Sequence, residues 1–306
     1  MTALRQAQGP NGAQGPDGAQ RPDGAQGPNG AQGPVSAQRP VKAARAEWSP
    51  ATERRLRIVA PIVVGVVGLA AWQLLVTVGG VSDYLLPSPV SIAAEFAQFW
   101  QPILGATLVT GLNALVGLVV GTLSAIVLAA FAARWRSIDG MSSPLVAAIA
   151  VVPIVALAPV LNSMFGADSQ FGRQTIAGLA AFVPVFVNTL RGLRQTTAVH
   201  RDLMRAYAAS GTQTFRTVTM PTAVPYLMTG IRIASSLAVI SALVAEYFGG
   251  PRGGLGSFIS TSAATSAYAL AWAYVAAAIG LGLIFYAVTG LLERLVQLSV
   301  LGGGAR

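Results

Sequence analysis

Long apolar segments separated by short basic loops constrain this chain more than any other feature. No charged residue occurs between Glu95 and Arg134, a gap well beyond the ~20 residues that a helix needs to cross a bilayer. Of all residues, 53% are hydrophobic and only 10% are charged. A bilayer solvates such a composition, whereas a soluble domain of this length cannot bury it. We therefore predict an all-α integral membrane protein.

Six apolar segments are long enough to span a membrane. The sequence places them at 58–78, 104–132, 143–165, 174–190, 224–246 and 270–292. Between the first two, Pro87 and Pro89 open a short amphipathic stretch that ends near Trp100, and we expect it at the outer interface. Together these segments predict a six-helix transmembrane domain over residues 57–300.

Basic residues mark the orientation of these spans. The twenty comprise nineteen arginines and Lys42. With a cytoplasmic N-terminus, eighteen fall on the inner side and only Arg173 and Arg252 on the outer side. The positive-inside rule therefore predicts a multi-pass protein of the cell membrane with both termini in the cytoplasm.

The N-terminal residues 1–56 differ from the rest in composition. From Gly9 to Gly33 a glycine recurs at every third position, broken only at Arg21. This period is that of a collagen triplet, but the run is short, so we interpret it as part of a disordered Gly/Pro/Gln-rich cytoplasmic tail. It is not a secretory signal, because the first apolar run begins only at residue 58 and is too long.

Several function classes are excluded by what the sequence lacks. There are no cysteines and only one histidine, His200, which removes thiolate metal sites, cysteine nucleophiles and histidine-based triads. A phosphate-binding Walker A loop needs Gly followed by Lys, and the only lysine, Lys42, follows Val41. We predict no bound cofactor. The net charge of +9 lies in loops between spans, which argues for topology and against nucleic-acid binding.

A polar island, DLMRAYAASGTQTFRTVTMPTAVPYLMTGIR, separates the fourth and fifth spans at residues 202–232. Helical spacing predicts that Leu203, Met204 and Tyr207 share one apolar face. Asp202 lies where it favours the positive end of a short helix. An apolar face on a loop needs a partner protein, or else the segment lies on anionic lipid.

The same island contains two prolines, Pro221 and Pro225, which remove backbone donors and crowd the preceding turn. We expect them to break the helix where the chain re-enters the membrane.

The order of residues in this island resembles the cytoplasmic coupling loop, or EAA loop, of the permease subunits of bacterial ATP-binding-cassette (ABC) importers. The resemblance is to the six-helix branch serving nitrate, sulfonates, taurine and thiamine-pyrimidine precursors. The family loop reads Glu-Ala-Ala, three residues, Gly, then a run ending hydrophobic-x-Leu-Pro. In the loop at 193–222, the matching positions are Asp202, Leu203, Met204, Ala206, Tyr207, Ala208, Ala209, Ser210, Gly211, Phe215 and Pro221. Asp202 stands at the Glu position and Ala208 at the Gly position.

The resemblance implies a transport subunit that is not itself an enzyme. It would act as a homodimer in the lipid bilayer, with two copies of a separate ATPase that uses ATP and an extracytoplasmic solute-binding protein. The phrases DLMRAYAAS, PYLMTG and AEYFGG favour a thiamine-pyrimidine precursor or a similar heterocycle as the solute. Sulfonate, taurine or nitrate are the alternatives.

Three residues are candidates for the translocation pathway. Pro153 and Pro159 free backbone carbonyls within the third span, although a purely structural kink explains them as well. Glu246 lies near the outer end of the fifth span, where it faces the pathway, pairs inside the bundle or sits at the interface beside Arg252.

Two further patterns have plain structural explanations. We expect Arg232 to extend to the interface from its span end. The glycine-rich run at 253–256 predicts an outer turn between the last two spans.

A secondary transporter or channel remains as the alternative function, and an intramembrane enzyme is the second function considered. A secondary transporter or channel without an ATPase is disfavoured, because such proteins carry intramembrane ionisable residues and inverted repeats that are not evident here. An intramembrane serine enzyme is excluded, because Ser257 and His200 fall on opposite sides of the bilayer in the predicted topology.

Overall fold

The computed structural model describes residues 50–302 except 83, 167–168 and 250–252, with side chains over 59–299 outside those gaps and 154–155. The chain divides into two compact units, Met1–Arg57 and Ile58–Arg306, and the bundle described below belongs to the second. The predicted tail lies outside the described residues up to position 49.

Every regular element in the described residues is helical, which confirms the all-α prediction. In chain order the helices are α1 Pro50–Val78, α2 Pro89–Gln98, α3 Trp100–Arg134, α4 Arg136–Val151, α5 Ile154–Phe165, α6 Phe171–Leu193, α7 Ala198–Ala206, α8 Gly211–Thr214, α9 Met220–Phe248, α10 Leu255–Ala264 and α11 Tyr268–Gly302. A π-helical turn, Phe215–Thr219, joins α8 to α9.

Five helices of the described chain are long and apolar enough to cross a membrane: α1, α3, α6, the continuous rod Gly211–Phe248, and α11. The pair α4 and α5, which we call the broken span, passes the same test only when the two helices are taken together, and it bends by 96°. The prediction of one span over 143–165 was wrong in its bounds and shape. Val152 is extended at ψ 124°, because a following proline disfavours the helical conformation, and Pro153 then begins α5.

The core of the bundle is formed by α3, α6 and α9, which approach closely through small residues. A Cβ added to Gly117 would overlap Ala177 and the backbone of Gly178. A Cβ added to Gly230 of α9 would lie 3.1 Å from the carbonyl oxygen of Pro184 in α6. Such contacts are how membrane helices gain dispersion energy where lipid removes the hydrophobic drive.

Two short helices complete the bundle. The predicted amphipathic stretch forms α2, whose first turn is capped by Ser88 accepting the N–H of Ser91 at 3.1 Å. The glycine-rich run that was predicted as a turn instead leads into α10, with Gly254 at its N-cap.

Candidate functional site

The polar island between α6 and α9 contains two short helices, and the first, α7, begins at a threonine cap. The Thr197 hydroxyl accepts the N–H of His200 at 3.3 Å, which satisfies one of the free donors of the first turn. The expectation that Asp202 lies at the helix N-terminus was wrong, because the cap falls five residues earlier. Asp202 instead lies mid-helix beside Arg205, at 3.4 Å. Both side chains are exposed, so this pair contributes little stability.

Helix α7 ends in a Schellman turn centred on Ala208. The N–H of Ala208 donates to the carbonyl of Arg205, and that of Ala209 donates to the carbonyl of Met204, both at 2.9 Å. This pattern places Ala208 in the left-handed region, at φ 50°, which glycine adopts without strain and alanine does not. The turn therefore survives the replacement of the family glycine, at a cost in backbone strain.

Helix α8 begins with a capping box formed by Ser210 and Gln213. The Ser210 hydroxyl accepts the N–H of Gln213 at 3.3 Å, and the Ser210 N–H donates to Oε1 of Gln213 at 2.7 Å. These reciprocal bonds fix the direction in which the chain leaves the turn at Ala208.

The predicted break at Pro221 and Pro225 does not occur. The helix runs from Gly211 to Phe248, and the N–H of Met220 donates to the carbonyl of Phe215 across the π-helical turn. The longer turn places Pro221 in the first turn of α9, where a missing N–H costs least. The polar island is therefore joined to a membrane span without interruption.

An apolar face of α7 is exposed outside the spans. Val199, Leu203 and Tyr207 recur at intervals of four residues and are 75%, 51% and 76% exposed. Met204 is half-buried, and its predicted place on the same face as Leu203 stays a prediction. We call Val199, Leu203 and Tyr207 the α7 face. Of the other predicted loop positions, Ala206, Gly211 and Phe215 are exposed and Ala209 is half-buried.

Arg232 bonds to α11, and its predicted place at the membrane interface stays a prediction. Its Nη1 lies 3.1 Å from Oε2 of Glu293, and its Nη2 donates to the Tyr286 hydroxyl at 2.7 Å. The guanidinium also lies over the Tyr286 ring, 4.3 Å from its centroid. Sequence reasoning missed this pairing, because Glu293 lies in another span and no local pattern links the two.

Glu246 is fully buried in the bundle. Its Oε2 accepts the Thr110 hydroxyl at 2.7 Å and the N–H of Gly256 at 3.2 Å. Its Oε1 accepts Nδ2 of Asn113 at 3.1 Å. We call Glu246, Thr110, Asn113 and Gly256 the Glu246 cluster. Of the three readings offered by the sequence, the contacts show pairing inside the bundle, while a place in the pathway stays a prediction and Arg252 is not among the described residues.

The glycines before and within α10 make room for this carboxylate. A Cβ at Gly254 would overlap the Glu246 carboxyl, and one at Gly256 would overlap the carbonyl of Leu243. The N–H of Leu255 donates to the Thr110 hydroxyl at 2.8 Å. The sequence feature that could have indicated this cluster is the run Gly254-Leu255-Gly256, which follows the acidic residue Glu246 of an apolar span.

The two candidate prolines lie in the broken span. Pro153 stands at the bend and Pro159 lies inside α5. A cavity of about 600 Å³ separates α4 from α6 near an ion pair between Asp139 and Arg194. A second cavity, of about 440 Å³, lies between α3, α6 and Ile149 of α4. The structure does not bring these prolines together with Glu246 into one described cavity.

Comparison with known proteins supplies the family. Residues 117–298 match the family model described as binding-protein-dependent transport system inner membrane component. The chain is 32% identical to a riboflavin transport system permease protein of Chloroflexus aurantiacus, covering 74% of this chain and 85% of that protein. It is 30% identical to a formylaminopyrimidine transport permease protein of Halalkalibacterium halodurans, covering 62% and 75% respectively.

A third relative extends the match over almost its whole length. A probable ABC transporter permease protein of Haemophilus influenzae is 27% identical over 79% of this chain and 98% of its own length. The family model covers more than half of the chain, and it includes α6, α7 and α9. The chain therefore belongs to the binding-protein-dependent inner membrane components, the permease family of ABC importers.

Proposed function

We propose that this chain, a transport permease by family, is the membrane subunit of an ATP-driven importer. It moves a small solute, delivered by an extracytoplasmic binding protein, into the cytoplasm. It works as a homodimer with two copies of a separate ATPase. The observation that carries the proposal is the α7 face, an exposed apolar stripe on a capped helix joined through a fixed turn to a membrane span.

The α7 face supports docking of a protein rather than free exposure in water. Leu203 and Tyr207 are more than half exposed, and an apolar face of this kind outside a bilayer marks an interaction surface. The Schellman turn at Ala208 and the capping box at Ser210 fix its angle to α9. A docked ATPase that closes on ATP thus biases the packing of α9, which is how binding energy selects between inward- and outward-facing states.

The predicted topology supports the same assignment. The loop that contains α7 carries five arginines, from Arg191 to Arg216, and loops rich in arginine stay in the cytoplasm. ATP is present on that side. A solute-binding protein would then meet the opposite end of the bundle, where α2 and α10 lie between spans.

The decisive experiment separates protein docking from lipid contact. Leu203→Asp places a charge on the α7 face, and Arg201→Asp places the same side chain on the opposite side of α7 as a matched control. Each variant is co-expressed with the ATPase and purified through a tag on the permease. We expect loss of the ATPase with Leu203→Asp and its retention with Arg201→Asp, at equal membrane abundance. Retention in both variants would contradict the docking role.

For the solute we propose a small nitrogen heterocycle, with sulfonate, taurine or nitrate as the alternative. Support comes from two relatives named for their substrates, the riboflavin permease at 32% identity and the formylaminopyrimidine permease at 30% identity. The cavity of about 440 Å³ is lined by Phe171, Phe182 and Gln174 among others, and none of its described lining residues is charged. Aromatic and amide side chains suit a flat, uncharged ring better than an anion.

Uptake of radiolabelled compounds tests this substrate class. Cells expressing the complete transporter should accumulate riboflavin or an aminopyrimidine and not taurine. Uptake of taurine alone would assign the sulfonate alternative and reject the heterocycle.

A further inference from the structure

Three pairs of polar side chains connect α9 to α11 near the end of the bundle at which α8 joins α9. On α9 these side chains recur at every third residue. On α11 they lie three and then four residues apart, so that each helix carries about one per turn. Besides the bonds of Arg232, the Thr229 hydroxyl lies 3.4 Å from Oε1 of Glu293, and the Ser235 hydroxyl lies 3.1 Å from that of Thr289. We call this set the α9–α11 ladder: Thr229, Arg232, Ser235, Tyr286, Thr289 and Glu293.

The central pair of the ladder is stronger than an ordinary surface ion pair. The Glu293 side chain is only 13% exposed and that of Arg232 is 37% exposed, so water and salt screen the pair only in part. The guanidinium adds a hydrogen bond and a cation–π contact with Tyr286, and such contacts are worth more when desolvated. An intramembrane arginine that lost Glu293 would have to find another partner.

Above the ladder, α9 and α11 leave a shallow gap between their apolar side chains. A groove of about 360 Å³ separates them there, lined by Val239 and Ile240 of α9 and by Ile279 and Leu283 of α11. Below the groove, the guanidinium of Arg232 rests against Gly290, where an added Cβ would lie 3.6 Å from Cζ. The ladder is therefore the polar connection between α9 and α11 at this end.

The ladder lies on the same continuous helix as α8. We call α7 and α8 together, residues 198–214, the coupling segment. The helix is continuous from Gly211 through the π-helical turn to Phe248, so Arg232 stands on the same rod as α8. A displacement of α8 reaches Arg232 through backbone hydrogen bonds, and from Arg232 it reaches α11 across the ladder.

We infer that Arg232 is a positioning residue that binds α11 to α9, so that both helices follow the coupling segment as one unit. The inference rests on the proposed function, since it needs an ATPase to move that segment. It assigns to Glu293 and Tyr286 the role of receiving the displacement on α11.

Distance measurements between spin labels test this inference on the cysteine-free chain. Cysteines replace Ile233 on α9 and Leu291 on α11, two exposed positions outside the ladder. Labelled chains are diluted with unlabelled ones, so that only distances within one protomer are read. The complex with its ATPase is measured without nucleotide and trapped with ADP and vanadate.

We expect the distance between these labels to be the same in both states. With Arg232→Met it should shift with nucleotide by about 1–2 Å or more, the size of helix shifts in switching proteins, while ATP hydrolysis persists. The double exchange Arg232→Glu with Glu293→Arg should restore the constant distance. Arg294→Met, an exposed arginine next to Glu293, is the matched control and should leave it unchanged.

Two results would overturn the inference. One is a nucleotide-dependent distance in the unsubstituted chain, and the other is a constant distance in Arg232→Met. Failure of the ATPase to co-purify with the unsubstituted chain would instead refute the proposed function, before any distance is measured.

Discussion

The core of α3, α6 and α9 and the broken span of α4 and α5 are built on opposite principles. In the core, glycine and alanine bring backbones together, and the Glu246 cluster links α3, α9 and the start of α10. The broken span is flanked by cavities of about 440 and 600 Å³, and an ion pair between Asp139 and Arg194 joins it to α6. Regions with few buried contacts rearrange at lower free energy than close-packed ones. We therefore expect the core to act as a scaffold and α4–α5 to rearrange more easily than the core.

Removing the carboxylate of Glu246 should produce the largest effect. Glu246→Leu leaves the Thr110 hydroxyl and the Gly256 N–H without their acceptor and removes one of the two acceptors of the Asn113 amide. This should lower the free energy of unfolding on the order of 3 kcal/mol. Thermal unfolding of the purified protein in detergent measures this. Glu95→Leu, a half-buried acid with no described hydrogen bond from its carboxylate, is the control and should change stability by less than about 0.5 kcal/mol. Equal stability of the two variants would show that the Glu246 cluster does not stabilise the core.

The same substitution, Gly→Ala, made in the core and in α4 tests whether the core is more closely packed than the broken span. Gly117→Ala adds a methyl group that overlaps Ala177 in the core, so it should destabilise by about 1–3 kcal/mol. Gly140→Ala adds the same group in α4, where nothing lies within 4 Å. It should stabilise by up to about 1 kcal/mol, because alanine favours helix. Destabilisation by both would mean that α4 is packed as closely as the core.

The bend at Pro153 should matter for transport more than for stability. Pro153→Ala restores a backbone donor and permits a straighter helix, so we expect solute uptake to fall severalfold while the ATPase still co-purifies. Pro144→Ala, also in this span but inside α4, is the control and should leave uptake near the unsubstituted level. Normal uptake by Pro153→Ala would show that the bend serves packing alone.

The smallest expected effect concerns the strained turn after α7. Ala208→Gly relieves a left-handed alanine and should stabilise the turn by about 1 kcal/mol, seen as slower amide exchange at 207–209. Ala206→Gly lies inside α7 and should have the opposite effect, about 1 kcal/mol less stable. Faster exchange in Ala208→Gly would contradict the strain assigned to Ala208.

The sequence predicted the spans well and the polar contacts poorly, for physical reasons. Apolar length and basic loops are local properties, so five spans were located to within a few residues at most ends. The pairing of Arg232 with Glu293, and of Glu246 with Thr110, joins residues on different helices, and nothing local specifies it. The break at Val152 could be expected from the following Pro153. The angle of 96° between α4 and α5 could not, because it depends on tertiary packing.

The polar island at 202–232 likewise contains one feature that the sequence predicted and one that it did not. Counting from Pro221 identified the position of Ala208, and the structure explains why a glycine is used there, since φ is positive. The continuity of the helix through Pro221 was not predictable, because a π-helical turn places the proline where no donor is needed.

Accessibility of a cysteine at Leu203 tests the central claim most directly. In the cysteine-free chain, Leu203→Cys should resist a membrane-impermeant thiol reagent in intact cells and react in inside-out vesicles. Co-expression of the ATPase should then protect it, whereas Arg201→Cys, on the other side of α7, should remain reactive. Labelling of Leu203→Cys in intact cells would place the α7 face outside the cytoplasm and contradict the importer account.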